Sequence, residues 1–113
     1  MIKGEDQRIL HQYILLDMAI KSLQQDYQAF ENLKMAKVFL PIVDDLLKNI
    51  RNDFYNKKRL LEQRGIRVVK WVKTSEYFSE VSIATKGEDE VLRYAKQALK
   101  TQVEELISNY LNK

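Results

Sequence analysis

The residues of this 113-residue chain that could carry acid–base or metal chemistry are few and scattered. His11 is the only histidine. The helical neighbours three and four residues away have side chains that rarely bind metals: Gln7, Arg8, Ile14 and Leu15. Without local ligands, His11 is expected to be a surface residue of a helix. The sequence therefore predicts neither a metal site nor a cofactor.

Paired carboxylates and phosphate-binding loops give no stronger signal for catalysis. The pairs Asp44–Asp45 and Glu104–Glu105 are adjacent in sequence, and adjacent helical residues diverge by about 100°. The three glycines are too far apart to form a phosphate loop: Gly4, Gly65 and Gly87. We therefore expect no enzyme and no small-molecule substrate. A site assembled from scattered carboxylates and tyrosines stays open as an alternative, which a deep pocket with raised carboxyl pKa values would support.

Positive charge is concentrated in one segment. Between Arg51 and Lys73, eight basic residues accompany two acidic ones, so this segment carries +6 while the whole chain carries +3. Basic side chains neutralise phosphates, which makes nucleic-acid binding an alternative function. Its predicted contacts are Lys57, Lys58, Arg59, Arg64, Arg67, Lys70 and Lys73. The competing interpretation is a cation-rich helix end followed by cross-strand charge pairs such as Lys73–Glu76.

Aromatic residues supply the candidate protein-contact surface. Trp71 and Phe78 are expected on the outer face of a β-hairpin, where two large rings are more typical of an interface than of bare surface. The same face is expected to carry Arg67 and Lys73. Two further interface candidates fall off the apolar helical stripes: Tyr55 and Tyr94. The free strand edges of such a hairpin could also pair with a second copy.

Composition favours a folded protein of the cytoplasm. Apolar residues make up 45% of the chain and charged residues 31%, a balance that argues against disorder. The absence of cysteine favours a reducing compartment. The polar start of the chain predicts no signal peptide. The longest apolar run, from Val38 to Val43, is far shorter than the about 20 residues of a membrane span.

Two long helices are predicted from 3-4 spacing of apolar residues. The first covers about residues 5–30, with its stripe at Ile9, Tyr13, Leu16, Ile20, Leu23, Tyr27 and Phe30. The second covers about residues 33–64, with its stripe at Leu33, Ala36, Leu40, Val43, Leu47, Ile50, Phe54 and Leu61. Pro41 is expected to kink or break the second helix, and Gly65 is expected to cap its end.

After Gly65 the apolar period changes from 3.6 to 2, which predicts a hairpin over about residues 66–84. A two-residue turn at Thr74–Ser75 would pair Trp71 with Phe78 and Val68 with Val81. The expected inner face holds Ile66, Val68, Val72, Tyr77, Val81 and Ile83. The expected outer face holds Arg67, Val69, Trp71, Lys73, Glu76, Phe78, Glu80 and Ser82. A last helix is expected over about residues 88–111, because Glu88–Glu90 suit a first helical turn.

These elements predict one domain over residues 1–113, of the α+β class and predominantly helical. Three or four helices would form a bundle, with one two-stranded antiparallel hairpin before the C-terminal helix. The function expected is a small non-enzymatic interaction or regulatory module. It would self-associate through helix faces and the aromatic hairpin face, as a homo-oligomer or with a small protein partner. The alternative is a nucleic-acid-binding accessory protein using residues 51–73.

Overall fold

A computed structural model describes residues 2–113, and Met1 lies outside them. The described chain folds into three helices and one three-stranded antiparallel sheet. Their order is α1 (Gly4–Glu31), α2 (Ala36–Gln63), β1 (Arg67–Lys73), β2 (Phe78–Ala84), β3 (Asp89–Ala95) and α3 (Lys96–Leu111). The helix-dominated α+β class is confirmed, and the sheet has three strands rather than two.

The two long helices run antiparallel and are joined by a short turn. Asp6, near the start of α1, forms an ion pair with Arg64 just beyond the end of α2 (2.9 Å). At the opposite end, the Tyr27 hydroxyl donates to the Asp44 carboxylate (2.7 Å). Their long apolar contact makes this pair the framework on which the rest of the protein packs.

The core consists of two clusters, and α1 contributes to both. The upper cluster joins the second half of α1 to α2 and α3, through Leu16, Ala19, Ile20, Leu23, Val43, Leu46, Leu47, Ile50 and Val103. The lower cluster joins the first half of α1 to the sheet, through Ile9, Leu10, Ile14, Leu61, Ile66, Val81, Ile83 and Leu99. Leu15 and Met18 pack against both clusters.

Helix α2 continues through Pro41 without a break. The helix begins at Ala36, so Pro41 falls in its second turn and lacks only the hydrogen bond to the Lys37 carbonyl. Of the two predicted outcomes, a kink or a break, the break is therefore wrong, because one missing bond near the N-terminus leaves the following turns intact. The predicted start near residue 33 is also corrected, since residues 32–35 form the turn between α1 and α2.

The predicted cap at Gly65 is present and ends α2 sharply. Gly65 has a φ of 69°, a conformation that side chains with a Cβ rarely adopt. Its N–H donates to the Glu62 carbonyl (3.1 Å), and the N–H of Ile66 donates to the Leu61 carbonyl (2.9 Å). This pattern is the Schellman motif, and the accompanying apolar contact comes from Leu61 and Ile66, both buried in the lower cluster. The motif fixes the direction in which the chain enters β1.

The main correction to the predicted elements is β3. Residues Asp89–Ala95 form a third strand paired with β2, and α3 begins at Lys96 rather than near Glu88. A run of acids followed by Leu92 fits a first helical turn, but the same residues also alternate as strand residues do. Pairing with β2 wins because a two-stranded hairpin alone is marginal in water, whereas a third strand enlarges its apolar face.

The register of β1 and β2 also differs from the prediction. Trp71 pairs with Val81 rather than with Phe78, three residues along. The cause is a longer turn, in which the Ser75 hydroxyl accepts hydrogen bonds from the backbone N–H groups of Tyr77 (3.2 Å) and Phe78 (3.1 Å). A bulge at Val69 then lets Val68 share the inner face with Trp71. An odd shift in register exchanges the faces, so Val72 is exposed rather than buried.

We expect a cavity in the upper cluster to be costly. Ile50 is fully buried there, so Ile50→Ala should lower the free energy of unfolding by about 2–5 kcal/mol. Val72→Ala, on the exposed side of β1, is the control and should change it by less than about 1 kcal/mol. Urea unfolding followed by far-UV circular dichroism measures both. Equal effects for the two substitutions would contradict the described core.

The end of α3 is held by a hydrogen bond that should make stability depend on pH. The Tyr110 hydroxyl donates to the Asp53 carboxylate of α2. Burial, reinforced by this bond and by the negative charge of Asp53, raises the pKa of Tyr110 above its usual value of about 10. A raised folded-state pKa means that its contribution is complete below about pH 10 and is lost as the pH rises further.

Tyr110→Phe should therefore cost about 1 kcal/mol at neutral pH and reduce the loss of stability above about pH 10. Urea titrations between about pH 8 and pH 11 measure both effects. Tyr55→Phe, at an exposed tyrosine, is the matched control. An unchanged alkaline slope in Tyr110→Phe would show that this bond does not couple to unfolding.

Candidate interaction surface

The structure places Trp71 and Tyr94 on the inner face of the sheet. Their ring centroids are 5.8 Å apart, and the Tyr94 ring stacks on His11 of α1 at 5.8 Å and 7°. The Tyr94 hydroxyl lies 3.4 Å from His11 Nδ1, and burial raises the pKa of Tyr94. Trp71 is half-buried against the lower cluster. The predicted outward position of Trp71 is therefore wrong, because the observed pairing of Trp71 with Val81 turns its side chain to the inner face of the sheet.

The two other aromatic candidates remain on the surface. Phe78 lies on the outer face of the sheet, half-buried, with the Arg93 guanidinium 4.0 Å from its ring centroid. Tyr55 on α2 is exposed and contacts the edge of Phe54 at 5.4 Å. These two rings lie on different elements, and Trp71 faces inward. The structure thus does not join the predicted aromatic residues into one outer patch.

The basic residues of α2 are partly engaged by the acidic start of α1. Arg64 forms an ion pair with Asp6. A hydrogen bond from Arg8 lowers the pKa of Glu5, and the charges of Arg64 and Lys57 lower it further. Arg59 donates to the side chain of Asn56 within its own helix. These contacts account for part of the basic segment as attraction between helix ends.

The remaining basic residues divide between separate places. Lys58 and Arg67 line a groove of about 250 Å³ beside Tyr13. Lys70 pairs with Ser82 and therefore shares the outer face of the sheet with Phe78. Lys73 lies at the far end of β1, where burial and the positive charge of Lys73 lower the pKa of Lys96. The predicted nucleic-acid contacts thus spread over the C-terminal end of α2, a groove and the sheet.

The most apolar exposed surface is one that the sequence analysis missed. At the turn between α1 and α2 and on the first turns of α2, five large apolar side chains are 43–62% exposed. We call them the helical tip: Leu33, Met35, Val38, Phe39 and Ile42. No residue of α2 before Val43 is buried, because α3 covers the middle of the helical pair and ends near Asp53.

A sequence signal for the helical tip exists beside the core stripe. Met35, Val38, Phe39 and Ile42 have their own 3-4 spacing, centred roughly 100° around α2 from the predicted core stripe and adjoining it at Phe39, which lies about 40° from Val43. The uninterrupted apolar run from Val38 to Val43 is another sign, because a helix that is apolar on two sides has to bury both. The prediction assigned that helix to a single core stripe and left the second stripe without a partner.

Open grooves lie elsewhere on the surface. One of about 480 Å³ lies between α1 and β3 and is lined by Gly4, Gln7, Arg8, His11, Leu92, Arg93 and Tyr94. Over residues 2–113, histidine and carboxylate side chains form no group of three or more that could hold a metal ion. Within the same described range, no helix combines the length and the apolar character needed to cross a membrane.

The fold and its surfaces define a small α+β protein in which an apolar helical tip, rather than a cluster of chemical groups, is the most pronounced surface feature. The chain matches the family described as YhjD protein over residues 1–113, and it belongs to that family. No curated protein and no solved structure matches it.

The inward position of Trp71 can be checked by fluorescence, because it is the only tryptophan. Its emission should be blue-shifted and less quenched by acrylamide in the folded chain than in urea, since one side of the ring packs on the lower cluster. Tyr94→Ala should raise quenching by opening that contact, whereas Tyr55→Ala should not. Equal quenching in folded and unfolded chain would contradict the observed register.

Proposed function

We propose that this chain is a small non-enzymatic interaction module of the cytoplasm that self-associates through its helical tip. The observation that carries the proposal is the exposure of five large apolar side chains in the turn before α2 and on the first turns of α2. Single exposed apolar residues are ordinary on protein surfaces, but a contiguous patch usually marks a contact site. The cytoplasm suits a chain that contains no cysteine.

The shape of the molecule supports the tip as the contact surface. The molecule measures 52 × 32 × 20 Å, and the paired helices account for its long dimension. Because α3 covers only the middle of the pair, the helical tip projects beyond the body of the protein. A second molecule can approach it without a clash from the sheet. The aromatic hairpin face no longer supports self-association, since Trp71 packs inward.

A second candidate function is nucleic-acid binding, for which the outer face of the sheet is the better location. Arg67, Lys70 and Arg93 lie there beside Phe78, so cations and a ring are combined on one open surface. Glu80 and Asp89 share this face and reduce its positive charge. A gel-shift assay with random-sequence DNA and RNA at low salt tests the candidate, and the absence of any shift would remove it.

Self-association predicts a mass that rises with concentration toward a multiple of the chain mass. Sedimentation equilibrium over about 1–500 µM measures it. Val38→Glu with Ile42→Glu should leave a folded monomer, since both side chains are exposed and their loss removes no core contact. Val72→Glu with Val91→Glu is the matched control, with the same charge added to exposed valines of the sheet.

The control variant should associate as the unmodified chain does, and both variants should keep its circular dichroism spectrum. A chain that is monomeric throughout this concentration range would contradict the proposal. Equal loss of association in both variants would also contradict it, because the effect would then come from added charge rather than from the helical tip.

A further inference from the structure

We propose that two copies of this chain pair through α2 in an antiparallel, two-fold symmetric arrangement that sets Lys34 of each copy beside Asp45 of the other. This inference rests on the proposed function, because it requires self-association through the helical tip. It adds the identity of the occupant, its direction and the charge contacts that select that direction.

The apolar stripe on α2 suits a helix as its partner. Met35, Val38, Phe39 and Ile42 occupy positions i, i+3, i+4 and i+7, which lie along one side of a helix over about two turns. An antiparallel copy centred between Val38 and Phe39 places Met35 opposite Ile42 and Val38 opposite Phe39. Each apolar side chain then meets an apolar side chain of the other copy.

The charges beside this stripe distinguish the two directions. Lys34 lies in the turn just before α2, at one end of the stripe, and Asp45 lies in the third turn of α2, just past the other end. Both are exposed. In the antiparallel pair, the two-fold axis aligns Lys34 with Asp45 of the other copy to within about two residues along the axis. A lysine side chain is long enough to span that offset.

A parallel pair would lack this attraction. Its two-fold axis runs along the helices, so Lys34 of both copies would lie at one end of the stripe and Asp45 of both copies at the other, about three helical turns away. Charged rims of this kind contribute more to the choice of partner and direction than to affinity. The opposite charges at the two ends of the stripe therefore favour the antiparallel dimer over the parallel one.

The available area fits a dimer of modest affinity. The helical tip presents on the order of 500 Å² of apolar surface per copy, so a symmetric pair would bury roughly 1,000 Å² in total. That total lies near the lower limit for a specific interface. Within residues 2–113, no other element covers the helical tip. A closed two-fold pair uses the whole stripe on both copies and leaves none for a third.

Charge reversal tests the direction. Lys34→Glu alone should weaken dimerisation by about 5-fold or more, because the introduced carboxylate would face Asp45 at two places in the dimer. Asp45→Lys alone should have a similar effect. The double variant Lys34→Glu with Asp45→Lys should return to within about 2-fold of the original dissociation constant, measured by sedimentation equilibrium. Lys100→Glu with Glu104→Lys on the exposed side of α3 is the control.

Disulfide trapping tests the same geometry independently, since the chain contains no cysteine. Antiparallel pairing predicts a mixed disulfide dimer when Met35→Cys and Ile42→Cys chains are combined under mild oxidation. Met35→Cys alone should give little, because its two copies would lie about 10 Å apart along the axis. A parallel pair would reverse these results.

The outcomes separate this inference from the proposed function. A chain that dimerises and loses the dimer on Val38→Glu with Ile42→Glu, but shows no rescue in the double charge variant and no mixed disulfide, overturns the antiparallel pair and leaves tip-mediated association standing. Efficient disulfide formation by Met35→Cys alone also overturns it. A chain that is monomeric at every concentration overturns both.

Discussion

Helix α1 contributes buried residues to both core clusters, and the positions of the remaining elements depend on this shared helix. Its second half packs on α2 and α3, and its first half packs on the sheet. Leu15 and Met18 pack against both clusters. The positions of the two clusters along α1 are therefore coupled. A helix of 28 residues is long for a chain of this size, and its length is what leaves the tip beyond the reach of the 16-residue α3.

The elements that the sequence predicted well are those specified by local residues. The 3-4 spacing from Ile9 to Phe30 marks α1 within one residue at each end. Gly65 ends α2 because a left-handed residue followed by Ile66 makes a Schellman cap, and the change to alternation after it marks β1 and β2. In each case the deciding interaction lies within a few residues of the position that it fixes.

The features that were wrong depend on distant partners. Residues 89–95 fit a helix or a strand equally well by themselves, and pairing with β2 decides between them. The register of β1 depends on the Ser75 turn and the bulge at Val69, neither of which alternation reveals, so Trp71 was assigned to the wrong face. The helical tip was missed because its exposure depends on where α3 lies, which is fixed in part by the contact between Tyr110 and Asp53, 57 residues apart in the sequence.

The bulge at Val69 has a further consequence for how the sheet meets other chains. A regular foreign strand cannot form a continuous ladder along β1, because the extra residue interrupts the spacing of its outward N–H and C=O groups, and Arg67, Lys70 and Lys73 repel a like-charged edge. The register of β3 on β2 is unbroken from Asp89 to Ala95. Templated growth of the sheet is thereby blocked on one side, so misassembly by strand addition cannot propagate through the molecule in both directions.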